Sequence, residues 1–264
     1  MGFFEALLYG LIQGITEFLP VSSSGHLTLL GRIFQTDPDA MMSLTTMLHM
    51  GTLISVFIVM RREIKAILHD IFGARTWQLV LATIPAVIVA VLLGDWLDKL
   101  FAGGMLGYSF LATAFILISV LLWHRKSQAS KAVGYREALI GGLGQAIAIV
   151  PGISRSGTTI TALLFSGVGR DQAIRFSFLM SIPAILGGFA LDMIHLIKGE
   201  GSSLLSLGLF NVIVGVLAAA VSGWLVMEFM LRKLNRKGFL YCAIYVAVLG
   251  LLVLIDQTFT HLVF

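Results

Sequence analysis

Two stretches of the sequence decide the fold: QGITEFLPVSSSG at residues 13–25 and QAIAIVPGISRSG at residues 145–157. Each stretch interrupts a long apolar segment with proline, glycine and serine. Pro20 in the first stretch and Pro151 in the second prevent one continuous helix, because proline lacks an N–H donor and its ring clashes with the preceding turn. The sequence therefore predicts that each of these apolar segments is a broken helical hairpin.

The composition indicates a membrane protein. Of the 264 residues, 58% are hydrophobic and only 12% are charged, whereas soluble domains carry roughly 25% charged residues. We therefore predict an integral membrane protein with one domain, residues 1–264. The excess of Lys and Arg (18) over Asp and Glu (14) is typical of basic cytoplasmic loops and predicts no nucleic-acid partner. Cys242 is the single cysteine, which excludes a disulfide framework.

Six further apolar segments can each cross a hydrocarbon core about 30 Å thick as a helix. These segments are residues 41–60, 77–98, 105–123, 172–197, 204–231 and 238–255. The two interrupted segments occupy residues 2–34 and 135–168. The predicted fold is an all-α membrane protein with six transmembrane helices and two hairpins that enter the membrane and return to the same side.

An internal repeat relates the two halves of the chain. Gln13, Ser22 and Gly25 each have the same residue type 132 positions later, and the first three apolar segments shifted by 132 coincide with the last three. We therefore predict two repeats, of about 1–132 and 133–264. Because each repeat contains three spans, an odd number, the second enters the membrane upside down, as in the inverted repeats of transporters.

The basic residues predict the orientation. If residues 61–76 face the cytoplasm, so do residues 124–136, 169–175 and 232–237, and this side then holds 14 of the 18 Lys and Arg, as the positive-inside rule requires. These 14 are Arg61, Arg62, Lys65, Arg75, Arg125, Lys126, Lys131, Arg136, Arg170, Arg175, Arg232, Lys233, Arg236 and Lys237. Both termini are then extracytoplasmic, and the hairpins enter from opposite faces with their tips near the middle of the membrane.

The polar residues at the two tips predict an anion site. We expect a helix to start at Gly25 and another at Gly157, and the free N–H groups and dipole of a helix N-terminus attract anions. Arg155 adds a fixed cation that can hold two oxygens at once. The nearby hydroxyls belong to Ser22, Ser23, Ser24, Ser154, Ser156 and Thr158. The pattern predicts a phosphate receptor.

Other interpretations of these residues remain open. The serines could serve as helix caps, Glu17 could bond only to its neighbouring loop, and His26 could simply bridge the hairpins. Broken helices in inverted repeats are also a transport architecture, so a transporter or flippase of a polyprenyl phosphate or another anionic lipid is the alternative function. Glu17 beside Ser23 and His26 favours an enzyme, because moving a headgroup requires no nucleophile with a neighbouring base.

TEFLPVSSSGH (16–26) and PGISRSGTT (151–159) together resemble the undecaprenyl-pyrophosphate phosphatase family, known also for bacitracin resistance. The resemblance covers essentially the whole chain and implies six spanning helices with two re-entrant hairpins. It implies hydrolysis of undecaprenyl pyrophosphate to the monophosphate, which recycles the lipid carrier of peptidoglycan synthesis, at a site open to the outer face of the bacterial plasma membrane. It further implies a divalent cation, Mg²⁺ or Ca²⁺, and a homodimer.

The resemblance assigns Glu17, Ser23, His26 and Arg155 to the active site, with Glu17 as a metal ligand. Together with the hairpin tips, it gives a phosphate-binding set comprising Gln13, Ser22, Ser24, Gly25, Ser154, Ser156, Gly157, Thr158 and Thr159. In some members a second glutamate stands at the place of Gln13, one turn before Glu17 on the same helix face. With one carboxylate here, a metal would bind largely through the diphosphate oxygens.

The stretch HMGT (49–52) resembles a family segment that often begins with glutamine, so His49 is a pocket residue or a packing residue. Three routes to hydrolysis remain open: attack by Ser23 with Glu17 as base, attack by His26 through a phosphohistidine, and attack by water that Glu17 activates. In each route, positioning and electrostatic stabilisation supply most of the catalysis.

Overall fold

The structure, a computed structural model, describes residues 1–101, 104–122, 131–197 and 207–264. Within these ranges the chain forms eleven α-helices and no strand, which confirms the all-α prediction. The predicted cytoplasmic residues Arg125 and Lys126 lie outside the described residues.

The helices are α1 (Phe3–Phe18), α2 (Ser23–Ile33), α3 (Pro38–Val59), α4 (Arg61–His69), α5 (Ala74–Phe101), α6 (Leu106–Leu122), α7 (Tyr135–Ile147), α8 (Arg155–Phe165), α9 (Arg170–Ile197), α10 (Leu209–Lys233) and α11 (Arg236–Ile255), followed by a π-helical turn (Asp256–Thr260). By length and composition, α3, α5, α9, α10 and α11 can each cross a membrane. The sixth predicted span corresponds to α6, an apolar helix of 17 residues that is about 25 Å long.

The same cap starts the helix after each break. The Ser22 hydroxyl accepts the N–H of Gly25 at 3.3 Å, and the Ser154 hydroxyl accepts the N–H of Gly157 at 3.1 Å. Each helix therefore begins directly after its capping serine, because the side chain satisfies a free N–H of the first turn. The predicted starts at the two glycines were wrong by two residues.

Helix bounds in the two halves correspond at a spacing of 132 residues. Helices α2 and α8 match residue for residue, α3 and α9 begin at equivalent positions, and α5 and α10 end at equivalent positions. These correspondences agree with a duplicated unit. The inverted orientation of the second unit stays a prediction.

Each hairpin packs mainly against the opposite half. The first hairpin consists of α1 and α2, and its α1 packs on α10, while the second hairpin consists of α7 and α8, and its α7 packs on α5. Close approach depends on glycine: a Cβ at Gly10 would collide with the carbonyl oxygen of Gly215, and one at Gly142 would collide with the backbone of Ala82. Because each hairpin packs against the other half of the chain, the two tips lie next to each other.

Two segments assigned to cytoplasmic loops are partly helical. Residues 61–76 contain the short amphipathic helix α4, and Arg170 and Arg175 lie in the first turns of α9. Arg175 donates to Glu63 at 2.5 Å, which ties α9 to α4. Charged side chains at the ends of helices satisfy one another here, so helices continue where a charge-rich sequence suggested a loop.

Candidate active site

Glu17 lies at the centre of the site, in the last turn of α1, and is only 7% exposed. Its Oε1 accepts a hydrogen bond from Arg155 Nη2 at 2.5 Å. Its Oε2 accepts hydrogen bonds from Ser23 Oγ at 2.6 Å and from Gln13 Nε2 at 3.1 Å. A buried carboxylate requires such partners, because removing an unpaired charge from water is very costly. Four predicted site residues therefore meet around one carboxyl group.

Arg155, the first residue of α8, is held from two sides. Besides Glu17, its Nη1 donates to the backbone carbonyl of Ser177 in α9 at 3.2 Å. The Ser177 hydroxyl in turn lies 2.6 Å from Thr159 Oγ1. The guanidinium plane is therefore fixed by α1 and α9 together. No motif in the sequence predicts this role of Ser177, because every residue carries a backbone acceptor.

The hydroxyl of Ser23 faces Glu17 across the first break. The preceding residue, Ser22, has φ +70°, a left-handed conformation that is uncommon for residues other than glycine. Such backbone strain persists only where the surrounding structure enforces it, and it occurs preferentially at functional sites. This turn directs the next side chain toward the carboxylate.

His49 of α3 completes the surroundings of Glu17. Its Nε2 lies 3.4 Å from Glu17 Oε2, and its Nδ1 lies 2.7 Å from the carbonyl oxygen of Thr45. The two ring nitrogens thus face oxygen atoms of Glu17 and of Thr45. His49 is therefore a pocket residue and not merely a packing residue.

His26 stands apart from this cluster. Its Nδ1 lies 2.6 Å from the carbonyl oxygen of Ser22 and its Nε2 lies 2.8 Å from the hydroxyl of Tyr245, whose ring stacks on the imidazole with centroids 5.6 Å apart. The Ser22 carbonyl can only accept, so it requires a proton on Nδ1. In a neutral ring, Nε2 then accepts a hydrogen bond from the Tyr245 hydroxyl. Among the described contacts, none joins His26 to Glu17. The sequence analysis missed Tyr245, which is one polar group in an apolar span.

The two tips interlock through equivalent serines. Ser24 Oγ accepts the N–H of Gly152 at 3.4 Å, and Ser156 Oγ donates to the carbonyl of Leu19 at 3.0 Å. Each serine thus satisfies a backbone group freed by the break in the opposite hairpin, as a buried backbone group requires. A Cβ at Gly25 would lie 3.2 Å from the Cα of Gly152, so the tips meet closely enough to favour glycine.

Other predicted phosphate-binding residues bond to the protein itself. Ser154 caps α8 and its hydroxyl lies 3.2 Å from that of Ser156, while Thr158 donates to the Ser154 carbonyl at 2.9 Å. The capping interpretation thus describes Ser22 and Ser154 in this structure. Thr113 of α6 accepts the N–H of Ser154 at 3.0 Å and donates to the Gly152 carbonyl, and the sequence analysis missed it.

The donor set does not fit a divalent cation held by the protein alone. Among the described residues, no group of three or more His, Cys, Asp or Glu is placed to bind a metal. Glu17 is the single carboxylate of the cluster, and each of its oxygens is already bonded to a donor. One neutral acceptor remains, Gln13 Oε1, which is buried without a hydrogen-bond partner.

The arrangement pairs a nucleophile with a base and a fixed cation. A serine hydroxyl hydrogen-bonded to a carboxylate can be deprotonated as it attacks, and a guanidinium beside it can hold two anionic oxygens. The site therefore suits transfer of an anionic group such as a phosphoryl group.

Known proteins are similar to this chain over nearly its full length. The family described as bacitracin resistance protein BacA matches residues 6–252. "Undecaprenyl-diphosphatase" of Carboxydothermus hydrogenoformans is 37% identical over 262 residues, covering 97% of this chain and 98% of the relative. "Undecaprenyl-diphosphatase 4" of Bacillus cereus is 40% identical (97% and 98% covered), and "Undecaprenyl-diphosphatase" of Bacteroides thetaiotaomicron is 36% identical (97% and 100%). The chain belongs to the BacA, or bacitracin-resistance, family.

Proposed function

We propose that this chain hydrolyses undecaprenyl diphosphate to undecaprenyl phosphate and orthophosphate, and so recycles the lipid carrier of cell-wall synthesis. One observation carries the proposal: a buried carboxylate, Glu17, is bonded at one oxygen to the hydroxyl of Ser23 and at the other to Arg155. The names of the relatives supply the substrate. Apolar helices and family membership identify a multi-pass protein of a bacterial membrane.

Substrate binding redistributes the charges of the site. Arg155 pairs with Glu17 in the free protein, and the terminal phosphate of a diphosphate carries more negative charge than one carboxylate. The guanidinium therefore transfers to the phosphate, assisted by the N-terminal N–H groups of α2 and α8. Glu17 loses its strongest counter-charge at that moment and becomes a better proton acceptor.

Ser23 then attacks the terminal phosphorus while Glu17 takes the hydroxyl proton. The bond between this phosphorus and the bridging oxygen breaks, and undecaprenyl phosphate leaves with the bonding electrons. Glu17 passes that proton to the departing undecaprenyl phosphate and is again a carboxylate. It then takes a proton from a water molecule that attacks the phosphoserine, the bond between phosphorus and Ser23 Oγ breaks, and Glu17 returns the proton to Oγ as orthophosphate leaves. Arg155 stabilises the charge on the equatorial oxygens in both steps.

Ser23 is preferred to His26 as the nucleophile because of its contacts. The Ser23 hydroxyl lies 2.6 Å from the proposed base, whereas both nitrogens of His26 are engaged by Ser22 and Tyr245. His26 then fixes the start of α2. Direct attack by water would leave no covalent phosphate on the protein.

The transporter or flippase alternative is not favoured. Moving a phosphate headgroup requires cations and donors, but this site adds a hydroxyl aligned with a carboxylate. The relatives that cover the chain end to end are named as phosphatases.

The proposal includes the finer architecture. The chain consists of six spanning helices and two re-entrant hairpins in inverted repeats, with both termini outside and the site open to the outer face. The distribution of Lys and Arg and the matching helix bounds support this topology. The family resemblance supports a homodimer, and a divalent cation that accompanies the diphosphate.

A phosphate-release assay tests the function. Purified protein in detergent, given undecaprenyl diphosphate, is expected to release orthophosphate, and Arg155→Ala is expected to lower the rate about 10³-fold or more. Arg232→Gln is the matched control, because Arg232 pairs with Glu228 at 2.7 Å on an exposed face of α10. Release at the wild-type rate from Arg155→Ala would refute the site assignment.

A further inference from the structure

The charges around Glu17 oppose a resident metal. The single carboxylate is contacted by the guanidinium of Arg155 and by the neutral donors of Ser23 and Gln13, and the His49 ring lies 3.4 Å away. We propose that the free enzyme holds no divalent cation in its active site, and that Arg155 supplies the positive charge there until a divalent cation arrives with the diphosphate.

The hydrogen-bonding capacity of the carboxylate supports this proposal. An ionised carboxylate offers about four acceptor positions. Three donors from three helices already bond to Glu17, and the His49 ring lies beside it. A divalent cation would have to displace several of them and lie close to a guanidinium, where like charges repel strongly in a buried site. Mg²⁺ also demands about six oxygen ligands in near-octahedral geometry.

Gln13 is the residue that determines whether the protein alone can hold a divalent cation. It lies one turn before Glu17, donates through Nε2 to Glu17 Oε2, and leaves its buried Oε1 without a partner. A glutamate in its place would put two carboxylates on one helix face and point a second anionic oxygen into the same pocket. Gln13→Glu is therefore expected to create the protein-held cation site that the natural chain lacks.

The inference rests on the proposed function, because only a diphosphate substrate would bring the missing oxygen ligands. Divalent cations in phosphoryl-transfer sites are commonly bound by one or two carboxylates together with substrate phosphates. The inference adds that in this chain the cation cannot bind first.

Titration with Mn²⁺ alone tests the inference without substrate or turnover. Free Mn²⁺ is measured by electron paramagnetic resonance in solutions of the purified full chain in detergent. Wild type is expected to show no saturable binding up to millimolar Mn²⁺, and Gln13→Glu is expected to bind one equivalent per chain. The double variant Gln13→Glu/Glu17→Gln, which restores the wild-type charge at nearly equal volume, is expected to lose that binding.

Saturable Mn²⁺ binding by the wild type that Glu17→Gln removes would overturn the inference. So would a monodisperse Gln13→Glu that binds no Mn²⁺. If Gln13→Glu aggregates, the wild-type titration decides alone: saturable binding contradicts the inference and its absence supports it. Because no diphosphate is present, this outcome is independent of the phosphate-release assay that tests the function.

Discussion

Ser23 and Arg155 occupy equivalent positions 132 residues apart, each as the first residue of its helix, and they bind different oxygens of the same carboxylate. Ser23 Oγ lies 2.6 Å from Glu17 Oε2, and Arg155 Nη2 lies 2.5 Å from Glu17 Oε1. One hairpin thus contributes a hydroxyl and the other a cation from the same place in the repeat. The backbone of the site is nearly symmetric while its chemistry is not.

Trapping the phosphoryl group identifies the nucleophile. After rapid quench with substrate labelled in the terminal phosphate, the wild type is expected to carry acid-stable phosphoserine at Ser23. Ser23→Ala is expected to carry none and to release phosphate about 10³-fold more slowly or worse, because the attacking group is gone. Ser24→Ala, which removes a hydroxyl bonded to Gly152, is expected to keep the phosphoserine.

Two outcomes of that experiment contradict the Ser23 route. Acid-labile phosphate on His26 would move the covalent step to the histidine. Labelled orthophosphate without any phosphoprotein, under conditions in which the chemical step limits the rate, would leave direct attack by water.

Gly25→Ala is expected to separate the two tips. The added Cβ would lie 2.6 Å from the ring of Phe110 and 3.2 Å from Gly152 Cα, and such overpacking costs about 1–3 kcal/mol. Gly187→Ala in α9 is the matched control, because no atom lies within 4 Å of its Cβ position and helical alanine is favoured over glycine by about 1 kcal/mol. Thermal unfolding in detergent is expected to give a lower Tm for Gly25→Ala than for wild type, and no lower Tm for Gly187→Ala. Equal Tm values for Gly25→Ala and wild type would contradict the close contact of the tips.

Glu137 lies outside the five candidate spans, and we expect its ion pair to make the stability of the protein depend on pH. Its Oε1 accepts from Lys131 Nζ at 2.6 Å and its Oε2 accepts the Gly134 N–H, and the hydrogen bond from Lys131 lowers the pKa of Glu137. A lowered folded-state pKa means that this stabilisation is present above the unfolded value of about 4.3 and is lost as the pH falls below it.

Glu137→Gln is therefore expected to unfold more easily than wild type at pH 7, by up to about 1 kcal/mol because Lys131 is half exposed. The difference should shrink when unfolding is measured near pH 3.5. Lys131→Gln is expected to weaken the same pH dependence. A gap between Glu137→Gln and wild type that stays constant from pH 7 to pH 3.5 would contradict the ion pair.

The two ends of α11 test the orientation. In a Cys242→Ser background, a membrane-impermeant maleimide added to intact cells is expected to label Thr258→Cys, in the turn after α11 that is proposed to be extracytoplasmic. Lys237→Cys, at the end proposed to be cytoplasmic, is expected to react only after the membrane is opened. Both sites are exposed in the folded chain, so accessibility from the aqueous side decides the outcome. The reverse pattern would invert the proposed topology.

Local chemistry made much of this fold predictable. Pro20 and Pro151 lie in the breaks, as predicted, although proline inside α5 and α9 ends neither of those helices. The two capping serines were recognised as possible caps, but the helix starts were placed two residues late, since glycine was taken as the boundary. Five of the six predicted spans agree with helices long enough to cross a membrane.

Contacts between residues far apart in the chain could not be predicted, because they leave no local pattern in the sequence. Ser177 acts through its backbone carbonyl, which every residue possesses. Tyr245 reaches His26 across 219 residues from an otherwise apolar helix. His49 could be suspected only through a resemblance, because its contact with Glu17 joins two different helices, α3 and α1.

The exchange of hairpins between the halves has a consequence for biogenesis. Helix α1 leaves the ribosome early, yet its packing partner α10 is synthesised about 190 residues later, which takes about 10 to 40 s at typical translation rates. Until then the nascent first half carries a carboxylate whose guanidinium partner has only recently been made or does not yet exist. We therefore expect the first hairpin to reach its final packing only after α10 has been synthesised.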